Sequence, residues 1–137
     1  MEASADYFEH DADFGVIGRG VTVESAFVQA ARATFALMVD LALVRACCTF
    51  EVSFEEPDPE LALVAWLNAL LAEARIRRLA PAHFELRRDG DRWHGSASGE
   101  PWRDDLERGT EVKGATLTML SVHPVLGGWE ARCVVDV

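Results

Sequence analysis

The residues best suited to chemistry in this sequence sit near its two ends. Early on, His10-Asp11-Ala12-Asp13 places two carboxylates and an imidazole within four residues. They offer hard oxygen ligands for a divalent cation, or an acid/base pair. On an extended backbone Asp11 and Asp13 share one face and Ala12 the other. The same residues would equally make a solvated acidic turn. At the far end, Cys133-Val134-Val135-Asp136-Val137 is apolar enough to lie in a sheet. That would fix both the Asp136 side chain and the terminal carboxylate of Val137. Two such groups side by side are costly unless a cation neutralises them, whereas an edge strand with an exposed tail needs none. A third feature is Glu111-Val112-Lys113, which contains the only lysine of the chain. Glu111 and Lys113 are two apart and share a strand face, as a cross-strand charge pair would. A surface salt bridge there is worth under about 1 kcal/mol.

The elements that must position these groups are read from periodicity. Phe14 to Gly20 is a short strand ending in glycine punctuation. From Thr22 the apolar period becomes helical through Phe27, Ala30, Ala31, Thr34, Leu37, Met38 and Leu41, which predicts a helix from a Thr22 cap to about Asp40. Cys48, Phe50, Val52 and Phe54 alternate with polar residues, giving a strand with one buried and one wet face. Asp58 and Pro59 open a second helix whose stripe runs Leu63, Trp66, Leu67, Leu70, Leu71 and Ala74. It fades at Arg77 and Arg78, and Pro81 is expected to close it. Trp66, Phe27 and Leu70 belong to the core by their place on these stripes.

His83 to Arg88 and Arg92 to Gly99 flank Asp89-Gly90-Asp91 as a hairpin. Glu100 to Thr110 is the best candidate for a mobile loop, with Trp93 and Trp102 at its flanks as packed or half-exposed aromatics. Glu111 to His123 and Gly128 to Val137 read as a final strand pair. No linker or repeat divides the chain. The expectation is a single α+β domain over residues 1–137, two-layered, with a mostly antiparallel sheet packed by two main helices.

Half of the 137 residues are apolar, enough for one core, and the formal net charge is −10. Strong direct nucleic-acid binding needs clustered Lys and Arg, so a role near RNA would run through a protein partner. The acidic balance suits a cation or a basic partner surface. Cys47, Cys48 and Cys133 form no CxxC pattern, and adjacent cysteines on a strand point to opposite faces. They read as small apolar residues of a reducing compartment rather than disulfides or a zinc site. No segment has the length of a membrane span, and the acidic N-terminus is unlike a secretory signal. A cytoplasmic location is the resulting expectation.

Five motifs in order resemble the archease family across nearly the whole chain. They are His10-Asp11-Ala12-Asp13-Phe14-Gly15, Met38-Val39-Asp40, Leu61 through Trp66-Leu67-Asn68-Ala69-Leu70-Leu71, Glu111-Val112-Lys113-Gly114-Ala115-Thr116, and the final Asp136-Val137. The resemblance implies a divalent-cation site, usually described with calcium, formed by Asp13, Asp136 and the carboxylate of Val137. His10, Asp11, Glu111 and Lys113 would be its supporting residues. It also implies a protein that activates an RtcB-type RNA ligase, promoting its guanylylation and multiple turnover in tRNA splicing or RNA repair. A tRNA cytosine methyltransferase is a secondary partner on the same grounds. The chain departs from the family pattern at Asp11, where a threonine is usual, and at Leu117-Thr118, where Tyr-His often follows. Two other classes compete with this reading. One is a stand-alone metal-dependent hydrolase with His10 as base. The other is a general chaperone or interaction module for tRNA-processing enzymes.

Overall fold

In a computed structural model describing residues 1–137, the chain folds as two antiparallel sheets and two main helices. The strands are β1 (Ser4–His10), β2 (Asp13–Gly20), β3 (Cys48–Glu55), β4 (Leu79–Asp89), β5 (Arg92–Pro101), β6 (Gly114–Ala115), β7 (Ser121–Val125) and β8 (Gly128–Asp136). The helices are α1 (Val23–Ala36) and α2 (Pro59–Arg77), and Leu41–Leu43 forms one 3-10 turn. The larger sheet has the order β1-β2-β8-β6, with β7 also pairing with β8, and the smaller has the order β3-β5-β4. This is the α+β domain expected, with its strands divided between two sheets. No helix is long and apolar enough to cross a membrane.

Helix α1 is seated by small residues. A side chain at Gly18 of β2 would run into the backbone of Ala26 and Ala30, so helix and sheet approach at glycine-alanine distance. Thr22 caps the helix by accepting the Ser25 N–H at 3.0 Å, a contact worth about 1 kcal/mol. The helix stops at Ala36 rather than near Asp40. The carbonyls that follow it are taken by another segment: Thr110 N–H donates to Leu37 O and Gly109 N–H to Met38 O, both at 2.7 Å. Gly109 is obligatory there, because a Cβ would strike the Leu37 carbonyl. Asp40 instead caps the short 3-10 turn by accepting from Ala42 N–H.

Aromatics join helix α1 to the smaller sheet. Phe27 of α1 stacks on Trp93 of β5 at 5.1 Å, and Phe54 of β3 lies 6.0 Å away from the same indole. Trp66, Trp93 and Phe27 are fully buried. Each indole finds a partner: Trp66 Nε1 donates to Phe27 O and Trp93 Nε1 to Glu56 O, both at 3.0 Å. A buried indole N–H left unpaired would cost about 1–3 kcal/mol.

Several boundaries differ from expectation for identifiable reasons. Helix α2 does start at the Asp58 cap with Pro59 in its first turn, but Arg78, in the left-handed conformation, terminates it before Pro81. Pro81 lies inside β4 at the irregularity between Pro81 and His83, where a missing N–H is tolerated. The hairpin turn is Gly90-Asp91, with Asp89 already paired to Arg92. Strand β1 was not anticipated; it is an edge strand, largely exposed, so it carries no buried alternation to read. Residues 111–123 are not one strand, since only Gly114–Ala115 and Ser121–Val125 pair with β8. The three cysteines are free, but the Cys47 and Cys48 sulfurs lie 3.6 Å apart instead of on opposite faces, because Cys47 precedes the strand. Burial pushes the Cys133 thiol up to about 12, leaving it inert at neutral pH.

Strand β5 continues through Glu100 and Pro101, so the polar connection begins at Trp102, and Leu106 within it is buried. Buried Glu100 anchors its base. The Arg45 backbone N–H donates to Oε2 at 2.5 Å and Arg103 Nε to Oε1 at 2.6 Å. First the Arg45 amide, then the Arg103 guanidinium, holds this carboxyl below its ordinary value of 4.5. A carboxyl depressed by folding stabilises the native state while ionised. Its contribution is complete above the ordinary range and disappears as pH falls through the folded value. Glu100→Gln should therefore lower the melting temperature at pH 7 and flatten the loss of stability between about pH 5 and about pH 3. Acid-denaturation profiles that run parallel for the two proteins would contradict this assignment.

Candidate metal centre

The larger sheet brings the β1–β2 turn and the last residues of β8 to one corner, while Met1 lies against Gly127 and Gly128 at the other end of β8. Strands β1 and β2 form a hairpin whose last pair is His10 with Asp13, leaving Asp11 and Ala12 as the turn. The run from His10 to Asp13 is therefore not extended, and Asp11 does not share a face with Asp13. Asp11 adopts φ 54, a left-handed conformation that aspartate tolerates better than most residues and a β-branched residue tolerates poorly. Its side chain is almost fully exposed, 3.9 Å from His10 Nδ1.

Strand β8 pairs with β2 through Phe14 opposite Val135. One step further along that ladder, Asp13 and Asp136 come opposite one another, where Cβ atoms stand about 4.5–5.5 Å apart. On the other side of β8, Gly114 pairs with Asp136, and the Lys113 N–H donates to the Asp136 carbonyl at 2.8 Å. His10, Asp13, Asp136 and Gly114 thus form one row across four strands. Val16, Cys133 and Val135 face the main core, and Val134 is buried on the opposite face. Asp13 and Asp136 consequently occupy the face turned away from the core. The closing contact is local and specific: Val137 N–H donates to Asp13 Oδ1 at 3.2 Å.

The four supporting residues fare unequally. His10 lies in the row beside Asp13, while Asp11 points outward from the turn. Glu111 and Lys113 flank fully buried Val112 and are both exposed, so they keep the alternation of a strand without belonging to one. Neither has an ion-pair partner within 4.0 Å, so the expected charge pair does not form. No three His, Cys, Asp or Glu side chains gather anywhere in the chain in a metal-holding arrangement. A cation at this corner would therefore depend on a main-chain carboxylate at Val137 joining the two aspartates. These are all oxygen donors, suited to a hard ion such as Ca²⁺ or Mg²⁺ and not to a thiophilic one.

Two residues that position the corner carried no role in the sequence reading. Asn68 of α2 behaves as a substitute strand partner: its Oδ1 accepts from Ala115 N–H at 2.8 Å and its Nδ2 donates to Ala115 O at 3.2 Å. Thr116 donates from Oγ1 to Val134 O at 2.8 Å and accepts from Thr118 N–H at 3.1 Å, which turns the chain away after β6. The available signal for Asn68 was a lone amide amid an otherwise apolar helical run. In the histidine set, His123 hydrogen-bonds Ser121 Oγ through Nδ1 at 2.7 Å, on a strand away from the corner.

Removing the Asn68 amide should free β6 without touching a carboxylate. In Asn68→Ala the amide of Ala115 should exchange with solvent about fivefold faster or more, for a lost contact of about 1 kcal/mol. Unchanged protection at Ala115 would show that β8 alone holds the segment. With this geometry in view, comparison with known proteins is direct. The sequence profile of the Archease protein family (MTH1598/TM1083) matches residues 6–137. "Protein archease" of Methanosarcina mazei is 33% identical, the match covering 96% of this chain and 94% of that one. "Protein archease" of Saccharolobus solfataricus is also 33% identical, covering 96% and 97%. The solution structure of Methanobacterium thermoautotrophicum protein 1598 superposes with a TM-score of 0.87 at 29% identity, over 98% of this chain and 99% of that one. The match spans both helices, both sheets and the corner where Val137 meets the β1–β2 turn, and this chain belongs to the archease family.

Proposed function

We propose that this protein is a divalent-cation-binding accessory protein that activates an RtcB-type RNA ligase, promoting its guanylylation and multiple turnover in tRNA splicing or RNA repair. The observation that carries the reading is the 3.2 Å hydrogen bond from Val137 N–H to Asp13 Oδ1, which joins the last residue to the β1–β2 turn beside Asp136. Asp13, Asp136 and the carboxylate of Val137 would hold the cation, calcium being the expected one. The ion would neutralise a local concentration of negative charge that water alone screens incompletely. His10 lies next in the row and can orient Asp13. Lys113 reaches the corner through its backbone, leaving its ammonium group free to touch the partner.

As an accessory protein rather than an enzyme, the chain would work by presenting this corner to the ligase. A net charge of −10 would steer it toward a basic, RNA-binding surface and accelerate encounter at low salt. A tRNA methyltransferase would be a second partner of the same electrostatic kind. The setting for this work would be the cytoplasm.

Asp136→Ala should fold with an unchanged far-UV spectrum, lose at least about tenfold in calcium affinity by calorimetry, and fail to stimulate ligase guanylylation. Stimulation equal to that of the parent would remove the cation site from the mechanism and favour a general chaperone. Turnover of phosphoester substrates by the protein and metal alone would favour a hydrolase. A two-residue extension after Val137 should reproduce the calcium defect, because it displaces the main-chain carboxylate while leaving both aspartates in place.

A further inference from the structure

A cavity of about 690 Å³ opens between the C-terminal end of α2 and the 102–113 connection. Arg75 and Arg78 from the helix and Arg108 from the connection reach it, with Trp102, Phe35 and Glu111 among the other walls. Three of the twelve arginines of a strongly acidic chain thus meet at one concavity. None has a carboxylate within 4.0 Å, although neighbouring Arg77 pairs with Glu73 at 3.0 Å and Arg103 with Glu100 at 2.6 Å. Arginines at a helix C-terminus favour the negative end of the dipole, which accounts for Arg75 and Arg78. It does not account for Arg108, which arrives thirty residues later and lies over the Trp102 ring at 4.0 Å.

The commitments of these groups are light. Arg75 spends one nitrogen on the carbonyls of Val112 and Lys113 at 3.5 and 3.4 Å, at the outer limit of a hydrogen bond. Arg78 is held in place by its left-handed cap conformation, φ 56. Three arginines against one glutamate leave two positive charges in a recess whose other walls are largely apolar. Guanidinium groups in such a recess repel one another, and a multivalent oxyanion would relieve that repulsion through paired N–H donors. The stacked Trp102–Arg108 pair supplies a flat surface for an aromatic ring. A cavity of this size lies within the range of small-molecule sites.

We propose that this cavity binds a small phosphorylated ring compound of mononucleotide class, its phosphate held by Arg75, Arg78 and Arg108 and its ring lying against Trp102 and the apolar wall. The site borders the corner through Glu111 but contains none of Asp13, Asp136 and Val137, and it does not require a cation there.

The probe is AMP, titrated into the full-length protein by calorimetry and by tryptophan fluorescence. Trp66 and Trp93 are fully buried and half-buried Trp129 on β8 does not line the cavity, so quenching by AMP reports chiefly on Trp102. The expected dissociation constant is on the order of 10–100 μM, with adenosine and pyrophosphate each at least about tenfold weaker. Arg78→Gly removes a guanidinium while suiting the left-handed backbone, and Arg108→Gln removes the one stacked on Trp102. Each should weaken AMP binding at least about tenfold. Arg87→Gln on β4, and Asp136→Ala at the corner, should leave it unchanged; the latter separates this site from the cation reading. The proposal is overturned if AMP produces no signal at about 5 mM, or if the Arg78→Gly/Arg108→Gln double variant binds as well as the parent. Equal affinity for AMP and pyrophosphate, or equal loss in Arg87→Gln, overturns it too.

Discussion

Strand β8 is the member on which the rest of the molecule leans. It pairs with β2 along one edge and with β6 and β7 along the other, so the last stretch of chain occupies the middle of the larger sheet. Its backbone groups therefore cannot pair until both neighbours are in place. Its inward residues Ala131, Cys133 and Val135 are fully buried. Together these facts make β8 a late, non-local closure of the fold. They also explain how residues 13 and 137, remote in sequence, come within hydrogen-bonding distance.

The corner so formed carries opposing demands. Apolar burial draws Val135 and Cys133 inward, and the period of two then obliges Asp136 and Asp13 to the outer face. Their negative charges gather there as a consequence of packing, without any cluster of side-chain ligands. The Val137 amide compensates part of that charge by donating to Asp13. The neighbouring strand is held by Asn68, an α2 amide that completes the ladder where no further strand exists.

The 102–113 connection ties this corner to the other end of α2. Buried Leu106 and the Glu100–Arg103 pair moor its start. Gly109 and Thr110 donate to the carbonyls of Met38 and Leu37, just past α1, and Lys113 donates to the Asp136 carbonyl. A segment that by composition alone reads as free polar loop is thus docked along most of its length. Its arginine and tryptophan side chains are displayed at the cavity mouth because the backbone groups are already committed elsewhere.

Much of the architecture was legible in local pattern. Thr22 and Asp58 announced the helix starts, the alternation from Cys48 to Phe54 gave β3, and the stripe through Trp66 and Leu70 marked the core. The family motifs pointed to Asp13, Asp136 and Val137, and the structure brings Val137 N–H to Asp13 Oδ1. What local pattern could not reveal was decided by contacts between distant segments. Helix α1 ends early where Thr110 and Gly109 claim the carbonyls of Leu37 and Met38, which would otherwise accept the next helical turn. Pro81 falls within a strand because Arg78 has already turned the chain. Edge strand β1, exposed on most of its length, has no buried period to betray it, and residues 111–123 lose strand character because the chain turns at Thr116. Periodicity records burial along one element, so the sequence by itself determined which faces turn inward. Where each element stops, and which side chains then meet, depended on partners far along the chain, and only the tertiary structure could supply those.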